Sequence, residues 1–177
     1  MTLQRLSGAF GRLLAALATL GCALLFLMLA IIVVDVGLRN IAVPGLPRGL
    51  AWSNEISELL LYVITMCVAP WLLRQGQHIR VDILLRALPA RLGWLLEWVG
   101  DLLGLACSLY FVWYGWKVLA ASYTSGAISI KTLVTPEWWL LVPLPVAFLL
   151  FAIEFLFRMR RLARSERAPR TDAVSAS

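Results

Sequence analysis

The chain has 177 residues, of which 61% are apolar and 15% are charged, and its formal net charge is +6. Soluble domains are about half apolar and about one quarter charged, so this composition excludes an ordinary soluble domain and is typical of a membrane protein. The 16 Lys and Arg residues are scattered between hydrophobic runs and are not gathered on one face, which argues against nucleic acid as a partner.

The first apolar run covers residues 13–34 and contains no charged side chain. At about 1.5 Å per residue, a helix of this length crosses a hydrocarbon core of about 30 Å. Arg5 and Arg12 precede the run, as in a signal peptide, but the apolar region of a signal peptide has only about 7 to 15 residues. We therefore predict a retained transmembrane helix that ends near Asp35 and Arg39.

Three further apolar runs, at residues 52–73, 94–116 and 138–157, complete four predicted spans in a single membrane domain of residues 1–177. The fold class is therefore an all-α membrane protein. The fourth span is expected to begin with Thr135 as its cap, Pro136 in the first helical position and Glu137 in the first turn. Pro143 and Pro145 predict a kink.

The basic residues predict the orientation, because cytoplasmic loops retain Lys and Arg. Twelve of them flank the spans on the side of the two termini and four lie on the other side, so both termini are expected in the cytoplasm. Residues 76–93 alternate apolar and charged side chains and predict a short amphipathic helix in the membrane interface. The basic cluster after Phe157 suits anionic lipid headgroups, and the tail from about residue 165 is predicted to be disordered.

The acidic residues within the spans are the candidates for function, because ionisable groups in a membrane are costly. Glu55 and Glu58 share a helix face at the start of span two, and Arg39 lies across a short loop from them. They form either a coupling-ion site or a polar clasp between helices or subunits. The clasp is favoured, because residues 59–73 offer a proton only Tyr62 and Thr65 as further stations.

Glu97 and Asp101 likewise share one face of span three, at the cytoplasmic side. We expect them to be structural, with their charges neutralised by Arg74, Arg80 or Arg91. The three cysteines are dispersed and His78 is the single histidine, so no metal, haem or other cofactor is predicted. The sequence also offers no nucleophile with a histidine base and carboxylate and no glycine-rich phosphate loop, so we predict no enzymatic activity.

Several segments resemble the small membrane subunit (DctQ type) of tripartite ATP-independent periplasmic (TRAP) transporters. In chain order they are Arg39, Trp52-Ser53-Asn54-Glu55, Arg74-Gln75-Gly76-Gln77-His78-Ile79-Arg80-Val81-Asp82, Gly100-Asp101-Leu102-Leu103 and Pro136-Glu137-Trp138-Trp139. The third segment is the most specific. Asn54 departs from the family, which often has a glutamate there, and this favours a packing role over ion chemistry.

The resemblance implies a bacterial inner-membrane protein that braces a large membrane subunit. That subunit would move an organic anion such as a carboxylate, driven by sodium and delivered by a periplasmic binding protein. The candidate residues for subunit contacts or membrane positioning are Arg39, Trp52, Glu55, Glu58, His78, Asp82 and Asp101. The alternative function is a self-contained small transporter in which Glu55 and Glu58 carry protons. The substrate is outside what this chain encodes.

Overall fold

Four helices in the computed structural model are long and apolar enough to cross a membrane, which confirms the predicted number of spans. They are Arg5–Asn40, Ser53–Arg74, Leu92–Ser125 and Glu137–Ala163. The structure describes residues 2–41, 48–76, 90–130 and 132–163. The predicted interfacial helix, with His78 and Asp82, and the predicted disordered tail lie outside these residues.

Within these described residues, the elements are five helices and one small hairpin. They are α1 (Thr2–Asn40), α2 (Ser53–Arg74), α3 (Ala90–Ser125), β1 (Ile128–Ile130), β2 (Val134–Pro136), α4 (Glu137–Leu141) and α5 (Pro143–Ala163). Helices α1 and α3 are longer than the apolar runs that predicted them. Hydropathy marks the part of a helix that lies in hydrocarbon, whereas the backbone hydrogen-bond ladder continues into the polar flanks.

The fourth span is interrupted close to its start. Pro136 precedes α4 in an extended conformation, with φ −60° and ψ 128°, so the helix begins at Glu137, one residue later than predicted. Helix α4 ends at Leu141, and α5 resumes at Pro143 after Val142. Proline lacks the N–H that would continue the ladder, so the break falls at the kink that Pro143 predicted.

The helices contact one another in the order α1, α2, α5, α3, so the last span lies between the second and the third. Helices α1 and α3 form the two edges of this row, and each packs mainly against one neighbour. Most of their apolar side chains remain exposed, among them Phe26, Val33, Leu103 and Trp113. The row therefore offers an extensive apolar surface to its surroundings.

Small residues bring neighbouring helices close together along this row. A Cβ atom on Gly21 of α1 would lie 2.5 Å from the Val68 side chain of α2. On the other side of the row, a Cβ atom on Gly115 of α3 would lie 2.8 Å from the Leu144 side chain of α5. In lipid, the hydrophobic effect does not drive helices together, so close packing of this kind contributes to their association.

Candidate functional site

Two groups of polar side chains lie at opposite ends of the row, and apolar contacts lie between them. We call the first group the arginine cluster; it consists of Arg74, Asp101, Glu154, Arg158 and Arg161. It lies where α2 and α5 end and α3 begins. Glu154 is completely buried, and Asp101 and Arg158 are only 3% and 8% exposed.

Arg74, the last residue of α2, connects three helices. Its guanidinium donates a hydrogen bond to Glu154 of α5 at 2.9 Å, and it also donates to the Ser7 carbonyl oxygen of α1 at 2.8 Å. Gly11 of α1 leaves room for this guanidinium, since a Cβ atom there would lie 2.9 Å from it. The second carboxylate oxygen of Glu154 accepts a hydrogen bond from Arg161 at 2.6 Å.

Arg158 connects α5 to the two remaining neighbours. Its Nε lies 3.1 Å from an oxygen of Asp101 in α3, and its Nη1 donates to the Leu73 carbonyl oxygen of α2 at 2.9 Å. Leu73 is in the last turn of α2, where carbonyl groups have no partner within the helix. Arg158 therefore neutralises a buried carboxylate and completes a helix end with one side chain.

The arginine cluster thus joins α1, α2, α3 and α5 at one end of the molecule. Burying charges is costly, but pairing and hydrogen bonding offset much of the cost, and removal of one partner leaves the other charge uncompensated. The sequence suggested Arg74, Arg80 or Arg91 as the partner of Asp101. In the structure Arg158 contacts Asp101, and Arg74 contacts Glu154. The side chains of Arg80 and Arg91 lie outside the described part of the chain, so their pairing stays a prediction.

At the opposite end, Asp35 of α1 holds the chain that follows. One carboxylate oxygen accepts the Leu50 backbone N–H at 2.6 Å, and the other lies 2.9 Å from Nε of Arg39. The turn at Gly49 has a φ of 98°, in the left-handed region that favours glycine. Asp35 is buried, whereas the Arg39 side chain is half exposed. Arg39 thus contacts Asp35 of its own helix. From the sequence, Arg39 was expected near Glu55 across the short loop.

Glu55 binds the hairpin that connects α3 to α4. Its two carboxylate oxygens accept the backbone N–H groups of Thr132, at 2.6 Å, and Leu133, at 2.9 Å. These residues lie in the loop between β1 and β2, which pair antiparallel. The two strands have only three residues each, which is too short for a periodic pattern to predict them from the sequence.

The remaining predicted residues are not gathered in one place. Trp52 is exposed directly before α2, and Glu58 is exposed one turn after Glu55. Sequence reasoning passed over Glu154 and Arg158 as candidates, although their spacing of four residues, followed by Arg161 three residues later, places all three on one face of a helix. That shared face was the signal that they act together.

Contacts between the two polar ends are apolar or small. Phe111 of α3 stacks on Phe148 of α5 with ring centroids 4.6 Å apart, and the buried Ser108 hydroxyl donates to its own helix at Gly104. Within the residues that the structure describes, no three His, Cys, Asp or Glu side chains form a group that could hold a metal ion. The arrangement is suited to holding helices in register.

Comparison with known proteins gives one family. The family model of the DctQ component of tripartite ATP-independent periplasmic transporters matches residues 28–165, which is most of the chain. The family is one of transporter subunits and not of enzymes. The matched segment includes both polar ends, from Asp35 to Arg161. A search of curated proteins gives no match to this chain.

Proposed function

Because the chain belongs to the DctQ family of tripartite ATP-independent periplasmic transporters, we propose that it is the small membrane subunit that braces the large one. The large subunit would move an organic anion, such as a carboxylate, with an elevator-like motion driven by sodium. A periplasmic solute-binding protein would deliver the anion. The chain would reside in a bacterial inner membrane with both termini in the cytoplasm and its basic side against anionic lipid headgroups.

The arginine cluster is the observation that best supports a bracing role. A brace must keep its shape while its partner moves, and the cluster links all four spans through charged hydrogen bonds at one end of the row. At the other end, Asp35 and Glu55 each bind backbone N–H groups of the following loops. Interactions of this kind fix helix positions relative to one another.

The exposed apolar surface of α1 and α3 supports the same proposal, because it is available to a second membrane protein. In lipid, helices associate through close packing and interhelical hydrogen bonds. A row with two edges and two faces offers more packing area than a closed bundle of the same four helices. Trp52, Glu58 and Arg39 lie exposed at one end, where they can contribute subunit contacts or positioning.

The contacts of the Glu55 carboxylate argue against a role for Glu55 as a proton carrier. Both of its oxygens bind backbone N–H groups that stabilise the charged form, and protonation would weaken those bonds. A coupled proton pathway would also need titratable groups that continue inward, and residues 59–73 of α2 contain no acidic or basic side chain. The self-contained transporter is therefore the weaker alternative.

Reconstitution of the three proteins in liposomes tests the proposal. We expect sodium-driven uptake when this chain, the large subunit and the binding protein are all present, and loss of uptake when this chain alone is omitted. Ligand binding by the binding protein should persist as the control. Full uptake without this chain would contradict the proposal, and so would proton-coupled flux by the purified chain alone that is lost in Glu58→Gln.

A further inference from the structure

The β1–β2 hairpin has its polar and apolar faces reversed relative to a hairpin in water. Ile128 and Ile130 alternate with Ser129 along β1, and Val134 pairs with Ile130 across the ladder. The aliphatic side chains point outward, with Ile130 79% exposed and Val134 65% exposed. A sheet with one solvated face normally turns its polar residues outward, so this face is suited to an apolar environment.

The opposite face of the hairpin covers the protein. Ser129 and Thr135, which are paired across the ladder, line a small cavity of about 60 Å³ together with Glu55 and apolar residues of α2 and α4. The polar side chains of the hairpin thus face the helices and are partly buried, while its aliphatic side chains are exposed. The arrangement is the one expected of protein segments whose outer surface contacts lipid.

Glu55 determines how far the hairpin extends from the membrane. The loop residues Thr132 and Leu133 bind a carboxylate in the first turn of α2, so the hairpin folds back onto the helix end and does not project away from it. Exposed Trp52 immediately precedes α2, and exposed Trp139 follows the hairpin. Tryptophans of this kind mark the membrane–water interface, so the outer face of the hairpin lies at interfacial depth.

A three-residue strand is about 10 Å long, whereas the layer of lipid headgroups on one side of a bilayer is about 5 to 8 Å thick, so a strand at interfacial depth can reach the edge of the hydrocarbon. We propose that the outer face of the hairpin, formed by Ile128, Ile130 and Val134, lies against the lipid of the adjacent leaflet, and that Glu55 holds it there. The hairpin then fixes the depth of the α3–α4 connection in the membrane. This inference does not depend on the identity of the transporter partners.

Spin labels on the full chain in phosphatidylcholine vesicles test the proposal. In a background with Cys22, Cys67 and Cys107 replaced by alanine, one label is attached at Ile130→Cys and, as the matched control, one at Ser129→Cys. We expect the label at 130 to collide more often with oxygen, which concentrates in lipid, than with a water-soluble nickel complex. The label at 129 should be protected from both. Greater access of the nickel complex at position 130 would overturn the proposal.

The role of Glu55 is tested by the same label in two further variants. Glu55→Gln should shift the accessibility at position 130 toward the nickel complex and increase the label's mobility, whereas Asn54→Ala, at the exposed neighbouring position, should change neither. An unchanged label in Glu55→Gln would overturn the holding role of Glu55. If that variant does not fold, as judged by gel filtration, the readings at 129 and 130 alone decide on lipid contact.

A protein partner would give a different pattern. If the hairpin's outer face binds another subunit, the label at 130 should become inaccessible to both reagents when the large subunit or the binding protein is added. That result would overturn lipid contact in the assembled transporter. Retention of oxygen access in the complex supports it.

Discussion

At the scale of single residues, the ion pair of Arg158 and Asp101 matters for stability mainly because removing either partner is costly. Both groups are nearly inaccessible, and Arg158 also completes the end of α2. Removing one member of a buried ion pair typically costs about 3 to 5 kcal/mol, because the remaining charge stays buried without compensation. The interaction therefore specifies the positions of α2, α3 and α5 more than it adds net stability.

We predict that Arg158→Met destabilises the protein by about 3 kcal/mol, measured as a lower thermal unfolding midpoint in detergent. Arg160→Met is the matched control, since Arg160 is exposed two residues along the same helix, and its midpoint should be nearly unchanged. The double variant Arg158→Met with Asp101→Leu should recover part of the loss. Equal midpoints for Arg158→Met and Arg160→Met would contradict the structural importance of the pair.

A second prediction distinguishes Asp35 from Arg39. Asp35→Ala leaves the Leu50 N–H without its acceptor, at a cost of about 1 to 3 kcal/mol. Arg39→Ala removes only a half-exposed ion pair, at a cost of about 0 to 1 kcal/mol. Thermal unfolding of the two variants in detergent should therefore rank Asp35→Ala as clearly the less stable. The reverse order would show that Arg39 has a larger role than its contact with Asp35.

The sequence identified which spans carry buried charges but not which charges meet. Asp101 was recognisable as a candidate because it lies within an apolar run, yet Arg158, which contacts it, is 57 residues away in the next span. Helix order decides that pairing, and no local spacing encodes it. Arg39 and Glu55 were recognisable as polar groups at one end, whereas the backbone groups that bind Glu55 belong to a hairpin more than 70 residues later.

At the scale of elements, the contact between α1 and α2 depends on the absence of a side chain at Gly21. Leu14, Ala18 and Gly21 are buried at spacings of four and three residues along α1. This is the spacing of a helix that packs along one seam. Because the Gly21 position faces Val68, additional volume there must separate the helices or displace that side chain.

We predict that Gly21→Leu destabilises the protein by about 1 to 3 kcal/mol through overpacking. Gly37→Leu is the control in the same helix, because no atom lies within 4 Å of the position that a Cβ atom would take there. Combining Gly21→Ala with Val68→Ala should restore much of the stability lost in Gly21→Ala alone. Thermal unfolding in detergent gives the comparison, and equal effects at positions 21 and 37 would contradict the seam.

The elements themselves were largely predictable, because each span is a long apolar run with few alternatives in a membrane. The ends of the helices were less predictable. The apolar run of span one begins at residue 13, whereas α1 begins at Thr2. The break near Pro143 was predictable from the chemistry of proline.

At the scale of the whole molecule, the two ends differ in charge as well as in contacts. The end that holds the arginine cluster is the end at which α1 begins and α5 ends, and most of the basic residues in the sequence flank the spans on that side. Cytoplasmic loops retain such residues. The positions of the basic residues relative to the spans therefore predict the orientation from the sequence. The contact order α1, α2, α5, α3 could be seen only in the structure.

We predict that green fluorescent protein fused after Ser177 fluoresces in intact bacterial cells, because the proposed topology places that end in the cytoplasm. Alkaline phosphatase inserted at Gly126, in the turn before β1, should be active, because the proposed topology places this turn in the periplasm. The reciprocal fusions, phosphatase at the C terminus and fluorescent protein at Gly126, are the controls and should be silent. The opposite pattern would invert the proposed topology.

The position of α5 between α2 and α3 has a consequence for biosynthesis. When α3 leaves the ribosome, its main neighbour α5 has not yet been synthesised. Asp101 is then in the membrane before Arg158 exists. Helix α5 therefore joins the α1–α2 pair to α3 after these helices have been inserted. A nascent chain that stops before residue 154 lacks Glu154, Arg158 and Arg161 together, so we expect membrane proteases to remove such chains while the completed protein persists.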